Sequence, residues 1–401
     1  PFWLKAFSPS SSPHHRAAML PEEGCLRIQF CSDMHLEMPL MVGRLGQHLR
    51  RCAAVSEGCE GEEEAEEERG EATAGGGAPE GPSNTLPRAS MGNYLALLGD
   101  IFDGAKVRSG AYRDFLLRQA PGFRAVFVLA GNHEFYRAEY GQGRASLAAL
   151  CEEVSRELQG QPTVHFLDCG RVDLPGSSVR VLGCTLWSHV DEAHAKAAAG
   201  SMTDYVAISV RADEAPEGGA PARPPRRKAT VEDTNAWHAR ELAWLEGELS
   251  RAEADGRRCV VLTHHAPTFH EACPPKHRTS ALNCAFCSDL ERLLRPPVAA
   301  WLYGHTHWST WQRFRRPPGG TPGVPGCWSS LEAELDALGE AACAAEAGEI
   351  LVASNQLGYG TAEHLCARCR PALLLELPPD GVRATLRCPR RLAAPVPPVA
   401  G

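Results

Sequence analysis

Seven side chains in this sequence could hold metal ions: Asp33, His35, Asp100, Asn132, His264, His305 and His307. Each lies at or just past the end of a short apolar run. Ile28–Cys31 runs into Ser32-Asp33-Met34-His35, and Tyr94–Leu98 into Gly99-Asp100-Ile101-Phe102-Asp103. Val126–Leu129 runs into Ala130-Gly131-Asn132-His133-Glu134. Cys259–Thr263 runs into His264-His265, and Ala299–Tyr303 into Gly304-His305-Thr306-His307. Seven oxygen and nitrogen donors are too many for one tetrahedral zinc site, and carboxylate and amide oxygens mixed with imidazoles suit Mn²⁺, Fe or Zn²⁺. Two metals sharing a carboxylate fit the count, and metal pairs about 3.5–4 Å apart clamp an in-line displacement. Two divalent cations, two carboxylates and one hydroxide leave roughly one positive charge, which attracts a phosphoryl oxygen.

These side chains must be positioned by strands. Short apolar runs rich in β-branched and aromatic residues read as buried strands, and chemistry at their carboxyl ends is an α/β arrangement. In extended backbone, residues i and i+2 point the same way, so Asp33 and His35, or His305 and His307, share one site. Gly99, Gly131 and Gly304 each precede one of the seven, where a tight turn has no room for a Cβ. Read singly, a histidine at a strand end is hydrogen-bonded and an aspartate caps a helix. Seven such residues ending five strands argue for a site. Either His264 or His265 could be the donor, and His264 directly follows the apolar run.

The five motifs, in this order, resemble those of the calcineurin-like metallophosphoesterase superfamily over roughly Leu26–Arg313. The longer phrases GNHEFY, CTLWSHV, THHAPT, GHTHW and SNQLGY resemble an uncharacterised branch. The resemblance implies an α/β/β/α fold of four layers, with two mixed sheets flanked by helices and a dinuclear site at the carboxyl ends of strands. It implies two divalent or mixed-valence transition metals (Mn, Fe or Zn). Asp33, His35, Asp100 and His307 would hold one. Asp100, Asn132, His264 and His305 would hold the other. His133 would face substrate, with Asp103 orienting it. The implied activity is hydrolysis of a phosphoric ester by a hydroxide held between the metals. A nuclease or cyclic-nucleotide phosphodiesterase is the alternative enzyme, and a binding scaffold the non-catalytic one. Gly104 follows Asp103 where the superfamily's serine/threonine protein phosphatases carry Arg, which argues against that branch.

With 401 residues and 43% hydrophobic content, the chain can bury a large core. Its net charge of −8 comes from Ser56–Glu80, where ten Glu and one Arg leave the rest near neutral. That body carries no strong nucleic-acid signal but admits a small phosphorylated substrate. No apolar run is long enough to span a membrane, and protein partners are not specified. Sixteen Cys are scattered through strands, helices and loops; several, such as Cys31, Cys184 and Cys259, fall inside apolar strands, which reads as core thiols of a reducing, cytoplasmic compartment. The Ser/Pro-rich, basic start is compatible with an organelle-targeting segment. Two Cys-x-x-Cys pairs, Cys284/Cys287 and Cys366/Cys369, could form a four-thiolate zinc site or remain unpaired thiols.

The expected organisation is a tail at 1–24, one domain at 25–390 and a tail at 391–401. Insertions are expected at about 52–90, 211–229 and 315–348, the last with a short helix. Helices are expected at Ala111–Gln119, Arg144–Leu158, Val231–Ser250 and Ser288–Arg295. Late strands at Ile350–Ser354, Ala372–Leu377 and Val382–Arg387 are expected to close the second sheet. Leu186-Trp187-Ser188-His189 could wall the site or simply pack.

Overall fold

The computed structural model describes residues 24–38, 86, 93–212, 225–316, 326–337, 342–346, 348–359, 368–370, 372–380 and 383–388. The acidic stretch Ser56–Glu80 and both terminal tails therefore lie outside the described residues, as does Cys366. In chain order the first strands are β1 (Leu26–Cys31), β2 (Tyr94–Leu97), β3 (Ala125–Val128), β4 (Thr163–Phe166), β5 (Gly170–Asp173) and β6 (Val179–Cys184). A two-stranded ribbon follows, β7 (Ser209–Arg211) and β8 (Arg226–Lys228). The remainder are β9 (Arg258–Thr263), β10 (Val298–Tyr303), β11 (Thr310–Arg315), β12 (Cys327–Ser330), β13 (Ala342–Ala344), β14 (Glu349–Ser354), β15 (Leu374–Leu377) and β16 (Thr385–Arg387). Helices are α1 (Gly104–Arg108), α2 (Ala111–Gln119), α3 (Tyr140–Glu157), α4 (Glu192–Ser201), α5 (Asp204–Ala207), α6 (Val231–Ala254) and α7 (Glu332–Ala337).

Among the described residues two mixed sheets of seven strands form, ordered β13-β16-β15-β1-β2-β3-β4 and β12-β11-β14-β10-β9-β6-β5. β1 to β4 run parallel, as do β14, β10, β9 and β6. Period-two alternation assigns each strand's faces. Tyr94, Ala96 and Leu98 of the β2 segment join Val181, Val260 and Leu302 in the core between the sheets. Leu95 and Leu97 face the other way, against Tyr112, Phe115 and Leu147 of α2 and α3. Val261 and Cys259 of β9 face Leu245 and Leu249 of α6. The result is the expected four layers.

Four boundaries differ from expectation. β15 and β16 belong to the first sheet, with β15 antiparallel to β1, and only β14 joins the second. Leu373, Leu375 and Leu377 thereby reach the core between the sheets, which outweighs proximity in sequence. The segment expected as a helix at Ser288–Arg295 is one 3₁₀ turn, Glu291–Leu293. Pro296 and Pro297 follow it, and proline disfavours helical backbone in the residue before it. α3 begins at Tyr140, where Glu139 accepts from the Gly141 and Gln142 amides. The 315–348 insertion carries β12 and β13 as well as the expected helix α7. No helix among the described residues is long and apolar enough to cross a membrane.

Candidate metal centre

All seven residues converge at the carboxyl edge of the two sheets. Donor atoms of Asp33, His35, Asp100 and His307 lie within 4.8 Å of one another, as do those of Asp100, His264 and His305. Asp100 belongs to both groups. Asn132 joins the second, its Oδ1 lying 3.2 Å from His264 Nε2. His265 lies outside both groups: its Nδ1 meets Ser188 Oγ at 2.9 Å. Its neighbour Trp187 packs on its ring, so Trp187 and Ser188 support the centre from behind.

The backbone is not simply extended there. Asp33, His35, Asp100, His305 and His307 all have φ between 46° and 70°. Each non-glycine residue in this left-handed region costs about 1–2 kcal/mol. Backbone hydrogen bonds hold the conformation: the Asp33 amide donates to Gly99 O and the His35 amide to Asp100 O. The His305 amide donates to the Asp33 carboxylate at 3.1 Å. The i, i+2 pairs do reach one site, but through left-handed turns past the strand ends.

Gly131 and Gly304 match their expected use. A Cβ on Gly131 would lie 2.2 Å from Asp100 Oδ1 and 2.6 Å from His264 Cε1. One on Gly304 would lie 2.8 Å from Asp33 Oδ2.

The tautomers favour a cation. The Leu98 carbonyl can only accept, so His264 Nδ1 donates to it at 2.8 Å. A neutral His264 then turns a bare Nε2 toward Asn132 Oδ1 and, at 3.5 Å, Asp100 Oδ2. Three lone-pair bearers facing one another need a positive charge among them. The pKa of His264 is pushed up to about 9: burial opposes this, but the Asp100 carboxylate outweighs it. His35 Nε2 and His307 Nε2 likewise converge at 3.1 Å. His305 Nε2 is buried with no hydrogen-bond partner among the described residues. Burial, then the neighbouring His264, pushes its pKa down to about 3, leaving a bare lone pair. The donor set fits metal ions.

The expected Asp103–His133 contact does not form. Asp103 caps α1 by accepting from the Lys106 amide at 2.9 Å and pairs with Arg137 at 3.1 Å. Glu37 takes its place, its Oε1 3.3 Å from both His133 Nδ1 and His35 Nδ1. Burial works against its charge, yet those imidazoles hold Glu37 down to about 2. His133 is pushed up to about 9, Asp100 and Glu37 outweighing the larger cost of burial. Its Nε2 meets the Tyr359 hydroxyl at 2.8 Å.

Three more residues support the centre. Glu134 accepts from the amides of Asp100, Ile101, Phe102 and Gly131 and thereby holds two site loops. Burial, then the Asp100 charge, pushes its pKa up to about 7. Asp204 and Tyr136 bind the amide of Asn132. Glu37 carried a signal, since Asp33-x-His35-x-Glu37 continues the alternation. Asp204 carried none. Of the thiol pairs, Cys287 packs in the core beneath α6 and Cys369 in the core beneath α2 and α3.

Residues 26–176 match the family model described as calcineurin-like phosphoesterase. That segment contains Asp33, His35, Asp100, Asn132 and His133, whereas His264, His305 and His307 lie beyond it. Over 231 residues the chain is 28% identical to the uncharacterized protein L509 of Acanthamoeba polyphaga mimivirus, covering 54% of this chain and 72% of that protein. Similar solved structures include the phosphopantetheinyl hydrolase PptH from Mycobacterium tuberculosis, with 13% identity, 83% of this chain and 89% of that one covered, and a TM-score of 0.43. Another is a dimetal phosphatase from Danio rerio, with 12% identity, coverage of 92% and 98%, and a TM-score of 0.40. Over residues 26–176 the chain is thus similar to the calcineurin-like phosphoesterase family.

Proposed function

We propose that this chain is a calcineurin-like phosphoesterase that hydrolyses a small phosphorylated substrate at a dinuclear centre, within a single domain spanning 25–390. The observation that carries the reading is the pair of donor groups sharing Asp100. Asp33, His35, Asp100 and His307 would hold one metal, and Asp100, Asn132, His264 and His305 the other. The mixed oxygen and imidazole donors suit Mn²⁺, Fe or Zn²⁺. When bound, the metals supply Lewis acidity toward phosphoryl oxygen and an attacking water acidic enough to react near neutral pH.

The chain's own residues do the rest. His133 presents Nε2 at the mouth of the site and donates a proton to the leaving oxygen. Glu37 orients that ring through Nδ1 and favours its charged form. Tyr359, whose hydroxyl meets Nε2, must yield that position to a substrate oxygen. All seven donors stand among the described residues, which supports an enzyme over a binding scaffold. The test is metal analysis with a phosphoester panel. Metal-loaded protein should carry two transition metals and turn over at least one small phosphoester, and Asp100→Ala should lose both metals. One thiolate-held zinc retained in Asp100→Ala would overturn the reading.

A further inference from the structure

Asn132 is the one amide among the proposed ligands, and its donor atom depends on which way it is turned. Its amide oxygen can bind a cation and its amide nitrogen cannot, yet the two have nearly the same shape. Something must set the orientation. Asn132 Nδ2 donates to Asp204 Oδ1 at 2.8 Å and to the Tyr136 hydroxyl oxygen at 2.9 Å. The Tyr136 hydroxyl in turn donates to Asp204 Oδ1 at 2.7 Å. The three groups close a ring in which each donor has an acceptor. Reversing the amide would set its oxygen against the Asp204 carboxylate and turn its NH₂ toward His264 and Asp100. Asp204 and Asn132 are each only 4% exposed, so water does not offer an alternative partner.

Asp204 comes from α5, outside the 26–176 segment that matches the family model. The fold anchors it firmly. The Arg137 amide donates to Ala207 O, and the Ile208 amide donates to Asp204 O. Ile208 is buried in the core with α2 and α3. The helix is thus tied to the loop that carries Asn132, His133 and Tyr136.

We infer that Asp204 is a positioning residue: through the ring with Tyr136 it holds the Asn132 amide oxygen toward the second metal position. This rests on the dinuclear reading above. It predicts a selective effect, because among the described residues the side-chain hydrogen bonds of Asp204 go to Asn132 and Tyr136 and not to Asp33, His35, Asp100 or His307. Residues that orient a metal ligand typically contribute about 10–100-fold in metal affinity.

The test is titration of metal-stripped protein with Co²⁺, followed by visible absorption and by melting temperature at each stoichiometry. The wild type should take two ions. In Asp204→Ala the first should bind as in wild type and the second about 10–100-fold more weakly. Asp204→Asn, which keeps an oxygen able to accept from Asn132 Nδ2, should recover most of that loss. Unchanged affinity for the second ion in Asp204→Ala, or equal weakening of both, would overturn the inference while leaving the dinuclear reading intact. A wild type that fails to take two ions would overturn both. Should Asp204→Ala not fold, Tyr136→Phe decides by the same titration. It opens the ring without removing the carboxylate, so selective weakening of the second ion supports the role and unchanged binding refutes it.

Discussion

Gly131→Ala adds one methyl group where the centre has no space for it. The new Cβ would stand 2.2 Å from Asp100 Oδ1, 2.6 Å from His264 Cε1 and 2.7 Å from the Asp100 amide nitrogen. None of these is the loose end of a long side chain. Asp100 Oδ1 also accepts from the His133 amide at 2.9 Å, so moving it breaks that bond. An ordinary carbon–oxygen contact needs the carboxylate to retreat by about 1 Å, and misplacement of that size costs about 10²-fold in rate. Overpacking itself costs about 1–3 kcal/mol of stability. The assays are metal content, turnover of a small phosphoester with metals in excess, and urea unfolding of the metal-free protein. Gly247→Ala is the control. Gly247 lies within α6 with nothing inside 4 Å of its Cβ position. Alanine there should raise stability by about 0.5–1 kcal/mol and leave turnover alone. Wild-type metal content and rate in Gly131→Ala would refute the packing argument, because the clash falls on the carboxylate proposed to be shared by both metals.

Three further outcomes follow from the site. His133→Asn should keep both metals yet slow an alkyl phosphoester more than a nitrophenyl one by about 10²–10⁴-fold; equal slowing of both would remove the proton-donor role. Glu37→Gln should lower turnover of the alkyl ester, whereas Asp103→Asn should change it less than about threefold, since the Asp103 partner Arg137 is 74% exposed and such pairs contribute little; the opposite ranking in a kcat comparison would restore Asp103 as the partner of His133. Adding the preferred metal at 100 times its Kd should stabilise the protein by about 2.7 kcal/mol, read as a rise in the denaturant midpoint, and no rise would argue against the donor groups forming a metal site.

Much of the site was legible because its chemistry is local to strand ends. Apolar runs such as Val126–Leu129 and Ala299–Tyr303 announce buried strands, and the polar residues that follow have no core to join. Gly131 and Gly304 precede their polar partners because the backbone of one loop passes against the side chains of another. The helices Ala111–Gln119 and Val231–Ser250 also follow from periodicity, the second running on to Ala254. Layer membership of β15 did not. An antiparallel strand can add to any free edge, and which edge it takes depends on the leucines it buries, a choice made between residues over 300 apart.

The same distinction runs through the partners of the site residues. Sequence by itself determined which side chains are rich in donors and that they end the strands of two sheets. It could not decide between carboxylates for His133: Asp103 is nearer in sequence, but its extended φ/ψ suits it to cap α1, and Glu37 arrives from 96 residues away. Nor could it show that five of the residues adopt left-handed backbone, since that strain is tolerated only where hydrogen bonds from other loops enforce it. In the sequence Glu134 reads equally as a capping, salt-bridging or site residue, and Asp204 is an ordinary acid. They become supports only when folding brings amide donors to them, out of reach of water, where an unpaired polar group is costly and a paired one holds its partner in a single orientation.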